Sequence, residues 1–243
     1  MIVQDPAFRC GCDGGRPRVA LNDLVKAESM DVVNSKKIIL YHCAGRSGGG
    51  SGTWSLLQFL QLMGQLKRVP RTGWVHRNVE KPESVSDHMY RMTIMAFVTK
   101  DKHLNKDRCV PLALVHDMAA CIIGDIAPAD NIPKEEKHRR EKEAMKQLTQ
   151  LLSEDVKKEI YDLWEEYENQ SSVEAKFVKQ LDHCEMILQV FEYEDLENKP
   201  GRLQEFYDST AGKFSHPEIV QLVSELTAER NAKTKGGTSE PHP

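Results

Sequence analysis

One apolar segment carries two polar side chains at positions where a helix core usually holds apolar ones: Leu112-Ala-Leu-Val-His116-Asp117-Met-Ala-Ala-Cys121. Cys109, Leu112 and Ala113 recur with His116 at three- and four-residue steps, which predicts an amphipathic helix over residues 106–120. Aspartate is rarely buried without a partner. The segment therefore predicts a core helix with a functional or paired polar group on its buried face.

The same helical period continues on both sides of this segment, through residues 54–231. Apolar stripes and N-capping residues predict helices over 56–66, from Ser84 or Ser86 to Val98, from Pro133 to Leu152, from Ser153 onward, from Ser171 or Ser172 to Leu196, and from a capping box at Ser215 and Glu218 to Arg230. Alternating apolar and polar residues, which are typical of strands, do not occur there. The fold class is all-α, a single helical bundle.

The two ends of the chain differ in composition from this region. Residues 1–53 hold 8 of the 15 glycines and end in Gly45-Arg-Ser-Gly-Gly-Gly-Ser-Gly52, which is typical of linkers. Residues 232–243 are polar and include Gly, Thr and Pro. We therefore expect a flexible leader over 1–53, a domain over 54–231 and a flexible tail over 232–243.

Composition disfavours two classes of partner. The 33 basic and 37 acidic residues give a net charge of −4, so no positive field favours nucleic acid. Apolar runs are far shorter than the roughly 20 residues that span a bilayer. The N-terminal residues lack the basic and apolar regions of a secretory signal. We expect an intracellular, cytoplasmic protein that binds neither nucleic acid nor membrane.

Two further polar residues lie on apolar helix faces. His88 precedes Met92 by one turn, and Asp182 lies between Val178 and Met186 at four-residue steps. Each alone is explained as a core group with a hydrogen-bond partner. Together with His116 and Asp117, they give two imidazoles and two carboxylates, which suit Mn²⁺, Co²⁺, Fe²⁺ or Zn²⁺. From the residues alone, separate core groups and a shared metal site both remain open.

The order His88, His116-Asp117, Asp182 resembles the H…HD…D signature of the HD-domain metal-dependent phosphohydrolases. Residues 65–93, 114–145 and 175–186 are similar, more specifically, to the 5′-deoxynucleotidases of that family, and the similarity extends over about 54–231. The resemblance implies hydrolysis of deoxyribonucleoside 5′-monophosphates, a divalent cofactor (Mn, Co, Mg, Fe or Zn) and a homodimer.

The resemblance also implies roles for individual residues. His88, His116, Asp117 and Asp182 match the four ligands of one divalent ion, and Asp117 is also a catalytic candidate. Asp125 matches a second catalytic carboxylate that can hold an additional metal. The substrate-binding candidates are Trp74, which matches a tryptophan that helps select the 2′-deoxy sugar, and Arg71, which is displaced by two places from the family arginine.

One position departs from the family pattern. The family has a glutamate three residues after the HD aspartate, and this chain has Ala120. General acid–base help contributes about 10²–10⁴-fold to a rate, so the departure predicts impaired turnover. The alternative function is a weak or inactive nucleotide-binding or interaction module that retains the metal site. A plain structural bundle is a third possibility.

Overall fold

The computed structural model describes residues 52–236, which all belong to one compact unit. The predicted leader up to residue 51 and the predicted tail from residue 237 lie outside the described residues. Within 52–236 the backbone forms helices joined by short turns, without a strand. The all-α prediction is confirmed.

Ten α-helices follow one another along the described chain. They are α1 (Gly52–Met63), α2 (Thr72–His76), α3 (Val85–Val98), α4 (Lys106–Val115), α5 (Ala120–Ile123), α6 (Lys134–Thr149), α7 (Glu154–Asn169), α8 (Val173–Leu196), α9 (Gln204–Ser209) and α10 (Pro217–Gly236). Two 3₁₀ turns cover Gly64–Arg68 and Pro128–Asp130.

The main core lies where α3 and α4 pack on each other and on α8, with α6 and α7 alongside. Fully buried apolar side chains fill this core, among them Met92, Leu112, Leu148 and Trp164. Removal of such side chains from water supplies most of the stabilisation of a helical domain. This packing brings α3, α4 and α8 into contact with one another.

The predicted helix over 106–120 is confirmed as far as Val115 and is wrong for the residues between Val115 and Ala120. Helix α4 ends at Val115, and the backbone then tightens to i→i+3 hydrogen bonds, from Met118 N to Val115 O and from Ala120 N to Asp117 O, both 3.1 Å. A tightened turn inside a helical run changes the direction of the side chains it carries. His116 and Asp117 lie in this turn, where they can both face the same site.

Other boundaries also differ from the prediction. Two short helices, α2 and α9, lack the long apolar stripe that predicts a helix, so the sequence did not predict them.

Helix α10 continues past Arg230 to Gly236, and Lys233 Nζ pairs with Asp195 Oδ1 at 2.7 Å. The sequence predicts that Glu218 caps the start of α10. In the structure its carboxylate instead accepts hydrogen bonds from Thr99 Oγ1 and Lys100 N.

The segment Lys106–Asp130 is long and apolar enough, by length and composition alone, to be a candidate membrane span. The turn after Val115 and the positive φ of 80° at Gly124 interrupt it. The core helix of a globular domain passes the same test, and α4 packs directly on α3 and α8.

Candidate active site

In two buried histidines of the described chain, one ring nitrogen has a carboxylate nearby but no hydrogen-bond partner. His116 Nδ1 lies 2.9 Å from Ala113 O, and His88 Nδ1 lies 2.5 Å from Glu185 Oε2. Among the described residues, neither His116 Nε2 nor His88 Nε2 has a hydrogen-bond partner. Buried polar atoms are seldom left in this state. The ring centroids lie 5.4 Å apart, so both unsatisfied nitrogens belong to one site.

Local structure explains how these two rings are placed. Ser84 caps α3 in a box with Asp87, with Asp87 N bonded to Ser84 Oγ and Ser84 N to Asp87 Oδ2. The cap fixes the first turn of α3, which carries His88. His116 is the C-terminal cap residue of α4, at the start of the tightened turn.

Two carboxylates face these nitrogens. Asp117 offers an oxygen within 4.8 Å of nitrogens of both His88 and His116, and Asp182 Oδ1 lies 3.3 Å from His88 Nε2. Burial raises the pKa of Asp117, but the neighbouring His116 and the guanidinium of Arg71 outweigh it and lower that pKa. Burial likewise opposes ionisation of Asp182, but Lys179 and His88 hold its pKa well below its usual value. Both side chains are carboxylates at neutral pH.

The two histidines differ in their protonation. Burial lowers the pKa of His116, so this ring is neutral at physiological pH. Burial and Arg71 also oppose protonation of His88. The carboxylates of Asp182 and Glu185 outweigh both effects and raise the pKa of His88 to about 9. A metal bound at His88 Nε2 would take the place of a proton there.

Arg71 and Asp125 lie beside this cluster. Arg71 Nη1 is 3.2 Å from Asp117 Oδ2 and 3.9 Å from Asp125 Oδ1. The Asp125 carboxylate also accepts a hydrogen bond from Thr72 N at 2.6 Å, and Asp125 O accepts one from Thr72 Oγ1. Asp125 thus fixes the start of α2 and, with it, the neighbouring Arg71. Burial raises the pKa of Asp125 despite Arg71.

Trp74 is almost completely buried, more so than a side chain that lines an open substrate pocket. Its side chain is 2% exposed and packs against Tyr193 and Phe206, with ring centroids 5.4 and 4.6 Å away. Its Nε1 donates a hydrogen bond to Glu83 Oε1 at 2.9 Å. The indole is therefore held rigidly, one turn after Arg71.

The sequence interpretation missed several site residues. Glu83 and Glu185 each offer a carboxylate oxygen within 4.8 Å of a ring nitrogen of His88, and burial raises the pKa of Glu83 to about 7. Asp182 Oδ2 accepts hydrogen bonds from Tyr167 Oη and Lys179 Nζ, each 2.9 Å. Glu185 and Lys179 lie three residues from Asp182 on α8, so helical spacing could have indicated them.

Ala120 is the first residue of α5 and is buried, with 5% of its surface exposed. It is bonded through its backbone N to Asp117 O, so it belongs to the same turn as the HD aspartate. A methyl group supplies neither a proton nor a metal ligand at this position.

The chemistry of this cluster fits a divalent cation. Donor atoms of His88, His116 and Asp117 lie within 4.8 Å of one another, and Asp182 on α8 lies 3.3 Å from His88 Nε2. Two of the ring nitrogens lack hydrogen-bond partners among residues 52–236. Imidazole and carboxylate together suit divalent metals of borderline to hard character. Glu185 on the outer side of His88, and Tyr167 and Lys179 on the outer side of Asp182, are typical of groups that support metal ligands.

Comparison with known proteins agrees with this chemistry. The sequence model of the HD domain matches residues 63–220. The 5′-deoxynucleotidase HDDC2 of Bos taurus is 82% identical over 192 residues, which cover 79% of this chain and 94% of that protein. The 5′-deoxynucleotidase hdd1 of Schizosaccharomyces pombe is 46% identical over 181 residues, 72% of this chain and 90% of that protein.

A solved structure is similar as well. HD domain-containing protein YGK1 superposes with a TM-score of 0.55 and 32% sequence identity, over 74% of this chain and 87% of that one. The family resemblance inferred from the H…HD…D order is thus confirmed. This chain belongs to the HD-domain family.

Proposed function

We propose that this chain is a divalent-metal-dependent phosphohydrolase that releases phosphate from 2′-deoxyribonucleoside 5′-monophosphates. The observation that carries the proposal is the pair of unsatisfied nitrogens, His88 Nε2 and His116 Nε2, beside the ionised Asp117 and Asp182. The substrate class comes from relatives named 5′-deoxynucleotidase, which are up to 82% identical.

His88, His116, Asp117 and Asp182 would hold the first metal. When bound, such an ion lowers the pKa of a water ligand and polarises the phosphoryl group. The donor set supports Mn²⁺, Co²⁺, Fe²⁺ or Zn²⁺, and Mg²⁺ is a further candidate. Asp125 is the carboxylate proposed to hold an additional ion.

The protein's own groups bind and orient the substrate. Arg71 presents a guanidinium next to Asp117, where it pairs with the phosphate oxygens. Asp125 keeps that guanidinium in place through its contacts with Arg71 and Thr72. The rigid Trp74 limits the room at the sugar edge, which disfavours a 2′-hydroxyl group.

Phosphate release tests the proposal. The full chain with Mn²⁺ or Co²⁺ should release phosphate from dAMP, dCMP and dTMP, and more slowly from AMP. His116→Ala should abolish the activity, whereas the exposed His103→Ala should retain it. Equal release by the parent and His116→Ala would contradict the assignment of the site.

Ala120 supports a second candidate function. A buried methyl group stands where the family has a glutamate, which favours a protein that binds the nucleotide and metal but turns over slowly or not at all. Calorimetry with dAMP and Mn²⁺, combined with the phosphate assay, separates the two. Binding without turnover supports the nucleotide-binding module, and turnover supports the enzyme.

We also propose a homodimer. Tyr90, Ile94 and Phe97 lie at steps of four and three residues on α3, so they share one face, and all three are exposed. A contiguous exposed apolar face is typical of an interaction surface. Sedimentation at micromolar concentration should give the mass of two chains, and a monomer would contradict this proposal without affecting the activity.

A further inference from the structure

The side of His88 that faces away from the proposed metal contacts a buried carboxylate. Glu185 lies on α8, close to one turn after Asp182, and its side chain is completely buried. Its Oε2 lies 2.5 Å from His88 Nδ1. One helix therefore supplies a carboxylate to each ring nitrogen of His88, Asp182 at Nε2 and Glu185 at Nδ1.

Arg91 holds this carboxylate from the other direction. Its Nε and Nη2 lie 2.8 and 2.7 Å from Glu185 Oε1. The same guanidinium contacts Glu192 through Nη1 and Gln189 Oε1 through Nη2, at 2.6 to 2.8 Å. Arg91 is therefore fixed by three side chains of α8, and the Glu185 carboxylate has little freedom to move.

The charge of Glu185 follows from these contacts. Arg91 Nε and Nη2 both point at Glu185 Oε1, which is the geometry in which a guanidinium pairs with a carboxylate. An ionised carboxylate only accepts hydrogen bonds. His88 Nδ1 must therefore carry a proton, which leaves Nε2, the atom that faces Asp182 and the site, to bind the metal in place of its own proton.

We propose that Glu185 and Arg91 form a positioning pair that fixes the tautomer and the orientation of His88 for metal binding. This inference rests on the proposed function, because it requires His88 to be a metal ligand. A carboxylate behind a metal-bound histidine also makes the imidazole a stronger donor, and loss of such a partner typically lowers metal affinity about 10–100-fold.

The test measures Mn²⁺ affinity by calorimetry on the full chain, without reference to turnover. Glu185→Ala should weaken Mn²⁺ binding about 10–100-fold. Glu185→Gln should recover part of that loss, because its amide oxygen still accepts from Nδ1. The metal-free parent should show a slowly exchanging, low-field imidazole N–H proton resonance that is absent from Glu185→Ala.

Glu194→Ala is the matched control. Glu194 is also a buried glutamate of α8 paired with an arginine, Arg230, but it has no contact with His88. This variant should lose thermal stability while keeping the Mn²⁺ affinity and the low-field resonance. Equal losses of affinity in Glu185→Ala and Glu194→Ala would mean that Glu185 acts only on stability, which overturns the inference.

His88→Ala separates this inference from the proposed function. If His88→Ala loses Mn²⁺ binding and Glu185→Ala does not, the positioning pair is wrong and the metal site stands. If His88→Ala binds Mn²⁺ as tightly as the parent, the ligand assignment itself is wrong, and the proposed function and the inference both fail.

Discussion

The guanidinium of Arg71 lies 3.2 Å from Asp117 Oδ2, so the residue proposed to bind phosphate is paired with one proposed to bind metal. The acidic side chains around Arg71 outweigh its burial and raise its pKa, which keeps the guanidinium charged at all accessible pH values. A negative phosphate can replace Asp117 as the partner of Arg71, and a positive metal ion can replace Arg71 as the partner of Asp117.

The first prediction concerns this pair. Arg71→Ala should weaken dAMP binding about 10–100-fold in the presence of Mn²⁺, since a hydrogen bond to a charged group contributes about 1.5–3 kcal/mol. Calorimetry with dAMP is the measurement. Arg139→Ala, at an exposed position of α6, is the control and should bind dAMP like the parent. Unchanged affinity in Arg71→Ala would remove Arg71 from the substrate site.

Helical periodicity was sufficient to predict the main helices but not their interruptions. The apolar stripe over 106–120 does not reveal that the backbone tightens after Val115, because the residues keep the same apolar character through the turn. The start of α2 depends on Asp125, which is 53 residues from Thr72. Contacts between distant segments have no signature in a local sequence pattern.

His88, His116, Asp117 and Asp182 could be identified as candidates because they lie on or beside otherwise apolar faces, and the family resemblance then implied that they share one metal. Their supporting groups could not be read in the same way. The three-residue spacing places Lys179 and Glu185 near Asp182 on α8, but only the packing of α3 on α8 shows that Glu185 contacts His88. Burial of Trp74 likewise depends on Phe206, which is far along the chain.

The second prediction is a pH dependence of stability that arises away from the site. Glu194 is paired with Arg230; burial opposes its ionisation, but that pairing outweighs it and lowers the pKa of Glu194 from 4.5. A lowered folded-state pKa stabilises the protein above the unfolded-state value, and the gain is lost as pH falls through the folded-state pKa.

Comparison of the parent with Glu194→Gln isolates this effect. The difference in free energy of unfolding should be about 3 kcal/mol near neutral pH. It should shrink as pH falls below 4.5 and through the lower folded-state pKa, where the paired carboxylate of the parent becomes protonated. Urea unfolding at a series of pH values gives both quantities. A difference that stays constant over the whole series would contradict the ion-pair explanation.

The third prediction concerns the rigid indole. Trp74→Ala should lower the free energy of unfolding by about 3–5 kcal/mol, because the side chain is almost completely buried. It should also reduce the ratio of kcat/KM for dAMP to that for AMP. Trp54→Ala, at a half-exposed position of α1, should change neither quantity. If Trp74→Ala keeps the parent's preference for dAMP, the indole does not select the sugar.

The fourth prediction places at position 120 the glutamate that the family resemblance implies. Ala120→Glu should raise kcat about 10²–10⁴-fold while KM changes little, since general acid–base help acts in the transition state. The position is 5% exposed, so the new carboxylate should also lower the thermal stability of the metal-free protein.

Ala120→Gln is the control that separates acid–base chemistry from the effect of side-chain volume. Glutamine has nearly the volume of glutamate, so it imposes the same crowding beside Asp117, but it neither donates nor accepts a proton in the reaction. Phosphate release from dAMP with Mn²⁺ should therefore rise in Ala120→Glu alone. An equal rise in both variants would assign the effect to the shape of the pocket, and no rise in either would show that Ala120 does not limit turnover.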